Sequence, residues 1–179
     1  MMNPDHLRLL IIRPTLNAVK MQSDAAENLV WGTAIHESAG LKYIKQGYKN
    51  PSDGLGVARS FYGIEPDTAV DLCRRYLAGN TPGQIAIAKA IWPWLAYPPV
   101  LAKMTKVQIT EALLFDLRFS TFICRLKYWM VPAPLPDAND ITALAHYWGK
   151  WYQTDDVAEQ KVAWVAAYRQ YSNQDEVSK

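Results

Sequence analysis

Apolar residues recur at helical intervals along almost the whole chain, and this periodicity restricts the fold more than any other feature. It predicts helices over residues 4–16, 24–37, 67–77, 84–95, 106–128, 141–152 and 157–171. Strand-like alternation is hard to find. Because 179 residues is the size of one ordinary domain, we expect an all-α, mainly helical domain over residues 1–171. A polar tail follows over residues 172–179.

Local signals mark several helix starts. Ser23 and Asp140 each stand directly before a helical pattern, where a side-chain oxygen can cap the first backbone N–H groups. Pro66 restricts Glu65 to extended geometry, which predicts a loop-to-helix transition there. These positions give the predicted helices defined N-termini.

Two stretches rich in turn-forming residues predict loops between the helices. Residues 47–56 predict a long loop, of the kind that commonly lines a functional site. Residues 131–140 contain three prolines and predict a rigid connector. The domain is therefore expected to carry long loops.

Composition and charge exclude several classes of function. Nineteen basic and 17 acidic residues give a net charge of +2, which is too small to indicate a nucleic-acid partner. No run approaches the roughly 20 apolar residues that span a bilayer, so we expect no transmembrane segment.

Cys73 and Cys124 are far apart and have apolar neighbours, which favours reduced, buried thiols. We expect neither a metal nor a cofactor.

The N-terminal segment does not have the pattern of a secretory signal. Arg8 and Arg13 interrupt the apolar residues 9–12, so the unbroken apolar region of a signal peptide is missing. We therefore expect no cleaved signal.

Glu37 is the first candidate catalytic residue, because it falls at the end of the predicted helix 24–37. The negative end of the helix dipole and partial burial would both raise the pKa of a carboxyl group at this position. A raised pKa suits a general acid that protonates a glycosidic oxygen. The alternative is a solvated glutamate at a helix end, which is common on protein surfaces.

Five short motifs occur in order along the chain, namely Leu10-Ile11-Ile12-Arg13-Pro14, Gly32-Thr33-Ala34-Ile35-His36-Glu37-Ser38, Glu65-Pro66-Asp67-Thr68, Val131-Pro132-Ala133-Pro134-Leu135-Pro136 and Tyr147-Trp148-Gly149-Lys150-Trp151-Tyr152-Gln153-Thr154. The ordered set resembles small tailed-phage virion proteins with lysozyme-like sequences. The helix that ends in Glu37-Ser38 also resembles the first motif of soluble lytic transglycosylases and goose-type lysozymes. The resemblance implies a single lysozyme-like domain.

The resemblance also implies a reaction and a set of site residues. Glu37 would be the acid and base that cleaves peptidoglycan glycan strands, and the Ser38 hydroxyl would hydrogen-bond near the site. Tyr147 would lie across the cleft from Glu37. Tyr62 and Tyr147 are the aromatic residues expected to contact the sugar, although aromatic side chains are more often part of a core.

Glu65 is expected to bind substrate as a second carboxylate near Glu37. Two structural roles remain open for it. Its side chain would either cap the backbone amides of the following helix or pair with an arginine such as Arg59 or Arg74.

The sequence also departs from the family pattern. Gly63 stands where the family has a glutamine that touches sugar, and Arg59-Ser60 replaces an apolar residue and a glycine. These departures leave two classes of function open. The first is a virion enzyme, made in the host cytoplasm, that opens the cell wall during entry. The second is a non-catalytic structural component of the phage head–tail or tail assembly.

The two classes have different expected partners. Both would contact other virion proteins, and the enzyme would also bind peptidoglycan glycan strands. In the structural class the segment 92–99, which is rich in aromatic residues and prolines, would be an exposed docking surface. In the enzyme the same segment would be core or cleft wall. A lysis enzyme that acts from within the cell is a third alternative.

Overall fold

The computed structural model describes residues 2–47, 55–78, 81–153 and 158–172. The predicted all-α, mainly helical class is confirmed. The helices are α1 (Pro4–His6), α2 (Arg13–Ala18), α3 (Asp24–Glu37), α4 (Pro66–Tyr76), α5 (Pro82–Ile91), α6 (Lys106–Phe115), α7 (Leu117–Trp129), α8 (Ile141–Trp151) and α9 (Ala158–Ser172). A π-helical segment, Leu7–Ile12, joins α1 to α2, and a 3-10 turn, Leu101–Lys103, precedes α6. The predicted tail beyond Ser172 lies outside the described residues.

The predicted helix starts are confirmed. The Ser23 hydroxyl accepts a hydrogen bond from the Ala26 amide at the start of α3. Asp140 accepts one from Ala143 at the start of α8. Glu65 is extended, and α4 begins at Pro66. These local caps act as the sequence predicts because they depend on neighbouring residues only.

The prediction of one helix over residues 106–128 is wrong, because the helix breaks at Asp116. Asp116 has an extended backbone, with φ −119° and ψ 104°. One of its carboxylate oxygens caps α7 by accepting from the Phe119 amide, and the other accepts from the Trp92 indole N–H. Apolar periodicity continues on both sides of the break, so the pattern did not reveal it.

The predicted helix 84–95 also has different ends. Helix α5 begins at Pro82, where Thr81 and Gln84 form a reciprocal capping box. It ends at Ile91, since the backbone of Trp92, with φ −120° and ψ 66°, is no longer helical. Pro93 follows, and a residue before proline disfavours helical geometry. Residues 92–95 therefore form a turn.

A short pair of antiparallel strands flanks the predicted loop 47–56. Strand β1 (Lys45–Gly47) pairs with β2 (Leu55–Arg59). Arg59 also forms an isolated antiparallel bridge with Ile64. The sequence did not predict these strands because three to five residues are too few to show alternation. Residues 48–54 of the predicted loop lie outside the described residues. The proline-rich stretch 131–140 connects α7 to α8, as expected.

Helix α3 runs through the core and packs against α7, α8, α9 and the π-helical segment. Its residues Leu29, Val30, Trp31 and Ile35 are fully buried. At Gly32 the helices approach so closely that an added Cβ would lie 2.1 Å from the Trp164 ring of α9. Because α3 is enclosed on several sides, its C-terminal residue Glu37 has a fixed position.

An ionic cluster around the buried Glu27 ties the N-terminal segment to α3. Glu27 forms ion pairs of 2.8 Å with Arg8 and with Arg13. Burial disfavours the Glu27 carboxylate, but the two guanidinium groups outweigh burial and lower its pKa. Arg8 also lies over the Trp31 ring. The cluster fixes the start of α3 relative to the N-terminal helices.

Candidate active site

Glu37 opens into a cleft of about 300 Å³, here called the Glu37 cleft. Three parts of the fold form its walls: the chain around the β-strands, the start of α4, and the adjoining parts of α7 and α8. The other lining residues are Tyr43, Ala58, Ser60, Gly63, Ile64, Glu65, Thr68, Lys127, Tyr152 and Gln153. Most of the exposed lining surface is polar, so the cleft suits a polar ligand.

The carboxyl group of Glu37 has an unusual electrostatic environment. Burial raises its pKa to about 7. The nearby Trp148 side chain, the charge of Lys127 and the Gln153 amide favour the carboxylate and limit this rise in pKa. Gln153 Nε2 donates to Glu37 Oε1 over 2.5 Å. Near neutral pH both the acid and the carboxylate are therefore populated.

Gly63 lies directly against this carboxyl group. Its φ is +62°, and an added Cβ would come 2.8 Å from Glu37 Oε2. The glutamine that the family resemblance expects at this position has no room here. Instead, an amide reaches Glu37 from Gln153, which follows α8. The only sequence signal for this contact is the place of Gln153 near the end of the motif 147–154.

The Arg59-Ser60 pair adopts a tight turn before Gly63. Ser60 has a φ of +65°, in the left-handed region that favours glycine. Its hydroxyl accepts from the Tyr62 amide. Arg59 Nη1 donates to the carbonyl oxygens of Gly56 and Val57, so its guanidinium group is tied to the β2 backbone.

Glu65 is exposed and lines the same cleft as Glu37. It is the N-cap residue of α4, yet its side chain makes no capping hydrogen bond. Within the described residues no ion pair joins it to Arg59 or Arg74. Neither structural role that the sequence left open for Glu65 is found. The fold places both carboxyl groups in one cleft.

Ser38 and Tyr62 are buried and support the site from behind. The Ser38 hydroxyl donates to the Ala34 carbonyl over 2.6 Å and accepts from the Leu41 amide over 2.8 Å. The Tyr62 hydroxyl is hydrogen-bonded to Thr121, and burial raises the pKa of Tyr62 far above its usual value. Because both hydroxyl groups are bonded inside the protein, neither side chain contacts a ligand in this conformation.

Tyr147 is not among the residues that line the Glu37 cleft, so its expected place across from Glu37 is not found in the structure. Its hydroxyl donates to the Ala133 carbonyl over 2.9 Å, and its ring packs near Tyr128. Successive helical residues point about 100° apart. On α8 the next residue, Trp148, is the one whose side chain approaches Glu37.

Lys127 is a cleft residue that the sequence interpretation missed. Its Nζ donates to the Tyr152 carbonyl over 2.7 Å and lies 3.9 Å from the centroid of the Tyr152 ring. Burial lowers the pKa of Lys127, and nearby acidic groups, including Glu37 and Glu65, oppose this shift. A lysine within the largely apolar stretch 119–130 is a sequence signal that could have identified it.

Other side chains near the site have structural roles. His36 packs edge-on against Trp148 at 4.7 Å, and burial lowers its pKa. Cys73 and Cys124 are free and buried, which confirms the prediction of reduced, buried thiols. Among the described residues, no group of three or more His, Cys, Asp and Glu side chains is placed to hold a metal ion.

No protein-family model, no curated protein and no solved structure matches the chain. In the part of the chain that the structure describes, no helix has the length and apolar character needed to cross a membrane. The site is a polar cleft lined by Glu37, whose pKa is raised, by a second acidic residue, Glu65, and by Lys127.

Proposed function

We propose that the chain cleaves the glycan strands of peptidoglycan, with Glu37 as the acid and base. One observation carries this proposal. Glu37 is a carboxyl group at the end of a rigid helix, open to a polar cleft, and its pKa is raised to about 7. A group of this kind holds a proton near neutral pH and releases it to a leaving oxygen.

The biological setting that we propose is a tailed-phage virion, in which the protein opens the cell wall during entry. This part rests on the five ordered motifs and their resemblance to small phage virion proteins. The left-handed conformation of Ser60 adds some support, because the family has a glycine at this position. Other virion proteins would then be its neighbours in the particle.

In the proposed reaction, protonated Glu37 gives its proton to the glycosidic oxygen as the bond from that oxygen to the sugar C1 breaks. The 6-hydroxyl oxygen of the same sugar then bonds to C1. The Glu37 carboxylate takes the hydroxyl proton, which restores the acid. No water is consumed, and the product is an anhydro sugar.

The neighbours of Glu37 suit both halves of this cycle. The Gln153 amide is hydrogen-bonded to one carboxyl oxygen and fixes the direction of the group. Gln153 and Lys127 favour the carboxylate that exists after the first proton transfer. Gly63 packs against the other oxygen, which leaves little freedom for the group to turn.

Glu65 offers a variant of this reaction. A second carboxylate in a glycosidase cleft activates a water molecule or attacks the sugar itself. Hydrolysis would give a reducing end in place of the anhydro end. The product therefore distinguishes the two reactions.

The test is the release of muropeptides from purified peptidoglycan, with products identified by mass spectrometry. We expect release by the wild type and at least a hundredfold less by Glu37→Gln, since general acid catalysis contributes about 10²–10⁴-fold. Glu111→Gln is the matched control, because Glu111 is exposed on α6 and does not line the cleft. Failure of a folded wild-type chain to release any product would contradict the proposal.

One observation favours the second candidate function, a structural component of the head–tail or tail assembly. After α5 the chain exposes large apolar side chains: Trp94 is 64% exposed, Leu95 42% and Tyr97 94%. Trp92, in contrast, is buried and stacks on Phe119. Contiguous exposed apolar residues are typical of a surface that binds another protein.

Complementation of a phage that lacks this gene separates the two functions. A structural role predicts that Tyr97→Ser reduces the number of complete particles and that Glu37→Gln leaves it unchanged. An enzymatic role alone predicts normal particle numbers for both variants and poor infection for Glu37→Gln. Particles are counted by electron microscopy and infection by plaque titre.

A further inference from the structure

The Glu37 cleft contains a lysine that forms no ion pair with a neighbouring acid among the described residues. Lys127 lines the cleft, and within the described residues it forms no ion pair with Glu37, Glu65 or any other acid. Its one hydrogen bond there is to the Tyr152 carbonyl. Since an ammonium group has three N–H donors, Lys127 retains capacity to bind a ligand.

The ammonium group is also held in place before any ligand arrives. The Tyr152 carbonyl accepts from Nζ over 2.7 Å, and the ring of the same residue lies 3.9 Å away. Tyr152 is itself fixed, since its hydroxyl donates to the Tyr62 carbonyl over 2.7 Å and its ring stacks on Tyr128. A donor fixed in this way loses little conformational freedom on binding an anion.

Burial makes an unpaired cation costly. Lys127 lies between Leu126 and Tyr128, both fully buried on α7, and burial lowers its pKa. A partly buried ammonium group without a counter-ion is destabilised unless a partner compensates for the lost hydration. An anionic ligand in the cleft would supply that partner.

We propose that Lys127 forms a carboxylate-binding subsite of the Glu37 cleft and makes the cleft select acidic glycan strands over neutral ones. This inference rests on the proposed function and names its substrate class. An ammonium group acts as a point charge with rotatable donors, so it accepts a carboxylate in several orientations. Glu37 and Glu65 are the acidic groups that face the ligand, and protonation of Glu37 removes one of the two opposing charges.

Peptidoglycan offers two sources of this carboxylate. One is the lactyl group of the acidic sugar, which is free only where the stem peptide has been removed. The other is a carboxylate of the stem peptide. Neutral N-acetylglucosamine oligomers have neither group, so they report binding to the rest of the cleft.

The test measures binding, with Glu37→Gln as the background so that no strand is cleaved. Isothermal titration calorimetry compares three probes: a neutral N-acetylglucosamine hexamer, peptide-free peptidoglycan strands and peptide-bearing strands. We expect Lys127→Met to weaken binding of at least one acidic probe roughly tenfold or more, in line with a hydrogen bond to a charged group. Binding of the neutral hexamer should change less than twofold.

Two further variants control for charge and folding. Lys150→Met removes an exposed lysine of α8 that does not line the cleft, and it should leave all three affinities unchanged. Lys127→Arg keeps the charge and should retain the preference for acidic strands. If Lys127→Met fails to fold by circular dichroism, Lys127→Gln replaces it, since its amide keeps a polar group in the cleft.

The outcomes separate this inference from the proposed function. Equal loss of affinity for neutral and acidic probes, or no loss at all, overturns the subsite. Loss for peptide-free strands assigns the lactyl carboxylate, whereas loss for peptide-bearing strands alone assigns the stem peptide. If the wild type releases no muropeptides but still prefers acidic strands through Lys127, the subsite stands and the cleavage proposal fails.

Discussion

Gly63 and Glu37 are packed so closely that a Cβ added to Gly63 would lie 2.8 Å from Oε2 of Glu37. The turn after β2 thus closes over the carboxyl group and restricts its position. The same glycine has a φ of +62°, a region that side chains disfavour. Both facts require glycine at this position.

Gly63→Ala should therefore damage the protein in two ways. We expect the unfolding free energy to fall by about 1–2 kcal/mol, from the left-handed backbone and the added contact. Displacement of Glu37 should also reduce muropeptide release at least tenfold. Urea unfolding and product analysis measure the two effects.

Gly83→Ala is the matched control for this substitution. Gly83 is exposed near the start of α5, and its nearest atom to an added Cβ is 3.9 Å away. Alanine is the better helix former, so this variant should be as stable as the wild type or more stable by up to about 1 kcal/mol. Equal stability of Gly63→Ala and Gly83→Ala would contradict the close packing.

The substitution Glu37→Gln should increase the stability of the protein relative to the wild type, and this advantage should grow as pH rises. Burial raises the folded pKa of Glu37 from 4.5 to about 7, so the native state binds this proton more tightly than the unfolded state. The stability linked to the proton is complete below pH 4.5 and is lost as pH rises through 7. A glutamine has no charge to bury and avoids this loss.

The measurement is the unfolding free energy of wild type and Glu37→Gln at pH 5 and pH 8. The variant should gain roughly 1–3 kcal/mol on the wild type between these values, less than the full shift implies because the cleft partly exposes Glu37. Parallel curves for the two proteins would show that Glu37 has no raised pKa. Glu111→Gln, on the surface of α6, should show no comparable gain.

Gln153→Leu should raise the pKa of Glu37 further. The Gln153 amide donates to Oε1 and favours the carboxylate, so its removal favours the protonated form. Carbon-13 NMR of the Glu37 side-chain carboxyl carbon measures the titration directly. The alkaline limit of muropeptide release should move to higher pH in the same variant.

Gln160→Leu is the control for that experiment, since Gln160 is an exposed residue of α9 that does not line the cleft. It should leave the titration of Glu37 unchanged. A titration that stays the same in Gln153→Leu as well would mean that the amide contact has no effect on the proton.

Gly32→Ala should destabilise the protein although alanine favours helices. An added Cβ at Gly32 would lie 2.1 Å from the Trp164 ring, so α3 and α9 would have to separate. We expect a loss of roughly 1–3 kcal/mol from overpacking, more than the gain of about 1 kcal/mol in helix propensity. Thermal unfolding followed by circular dichroism shows which effect is larger, and an increase in Tm would contradict the packing.

Local signals predicted most of the helical fold. The ends of α3 follow from the Ser23 cap and from the break after Glu37, and α8 begins after Asp140 as expected. Caps and turns depend on residues a few positions apart, so a linear pattern contains them. The break at Asp116 was not predicted, because its carboxylate is held partly by Trp92, 24 residues away.

The sequence identified only some of the residues of the candidate site. Glu37 and Glu65 were identified from their motifs, and the fold places both in one cleft. Tyr62 and Tyr147 were also selected, but aromatic side chains suit a core as well as a sugar site, and both are buried here. Only burial distinguishes these roles, and burial is a tertiary property.

By itself, then, the sequence determined the mainly helical class, the helix starts and the acid at the end of α3. The tertiary structure decided that Gly63 packs on Glu37, that the Gln153 amide donates to Glu37 and that Lys127 lines the cleft. The physical reason is the range of the interactions. Periodicity and capping act within one element, whereas the pKa of Glu37 depends on desolvation by several elements that pack around it.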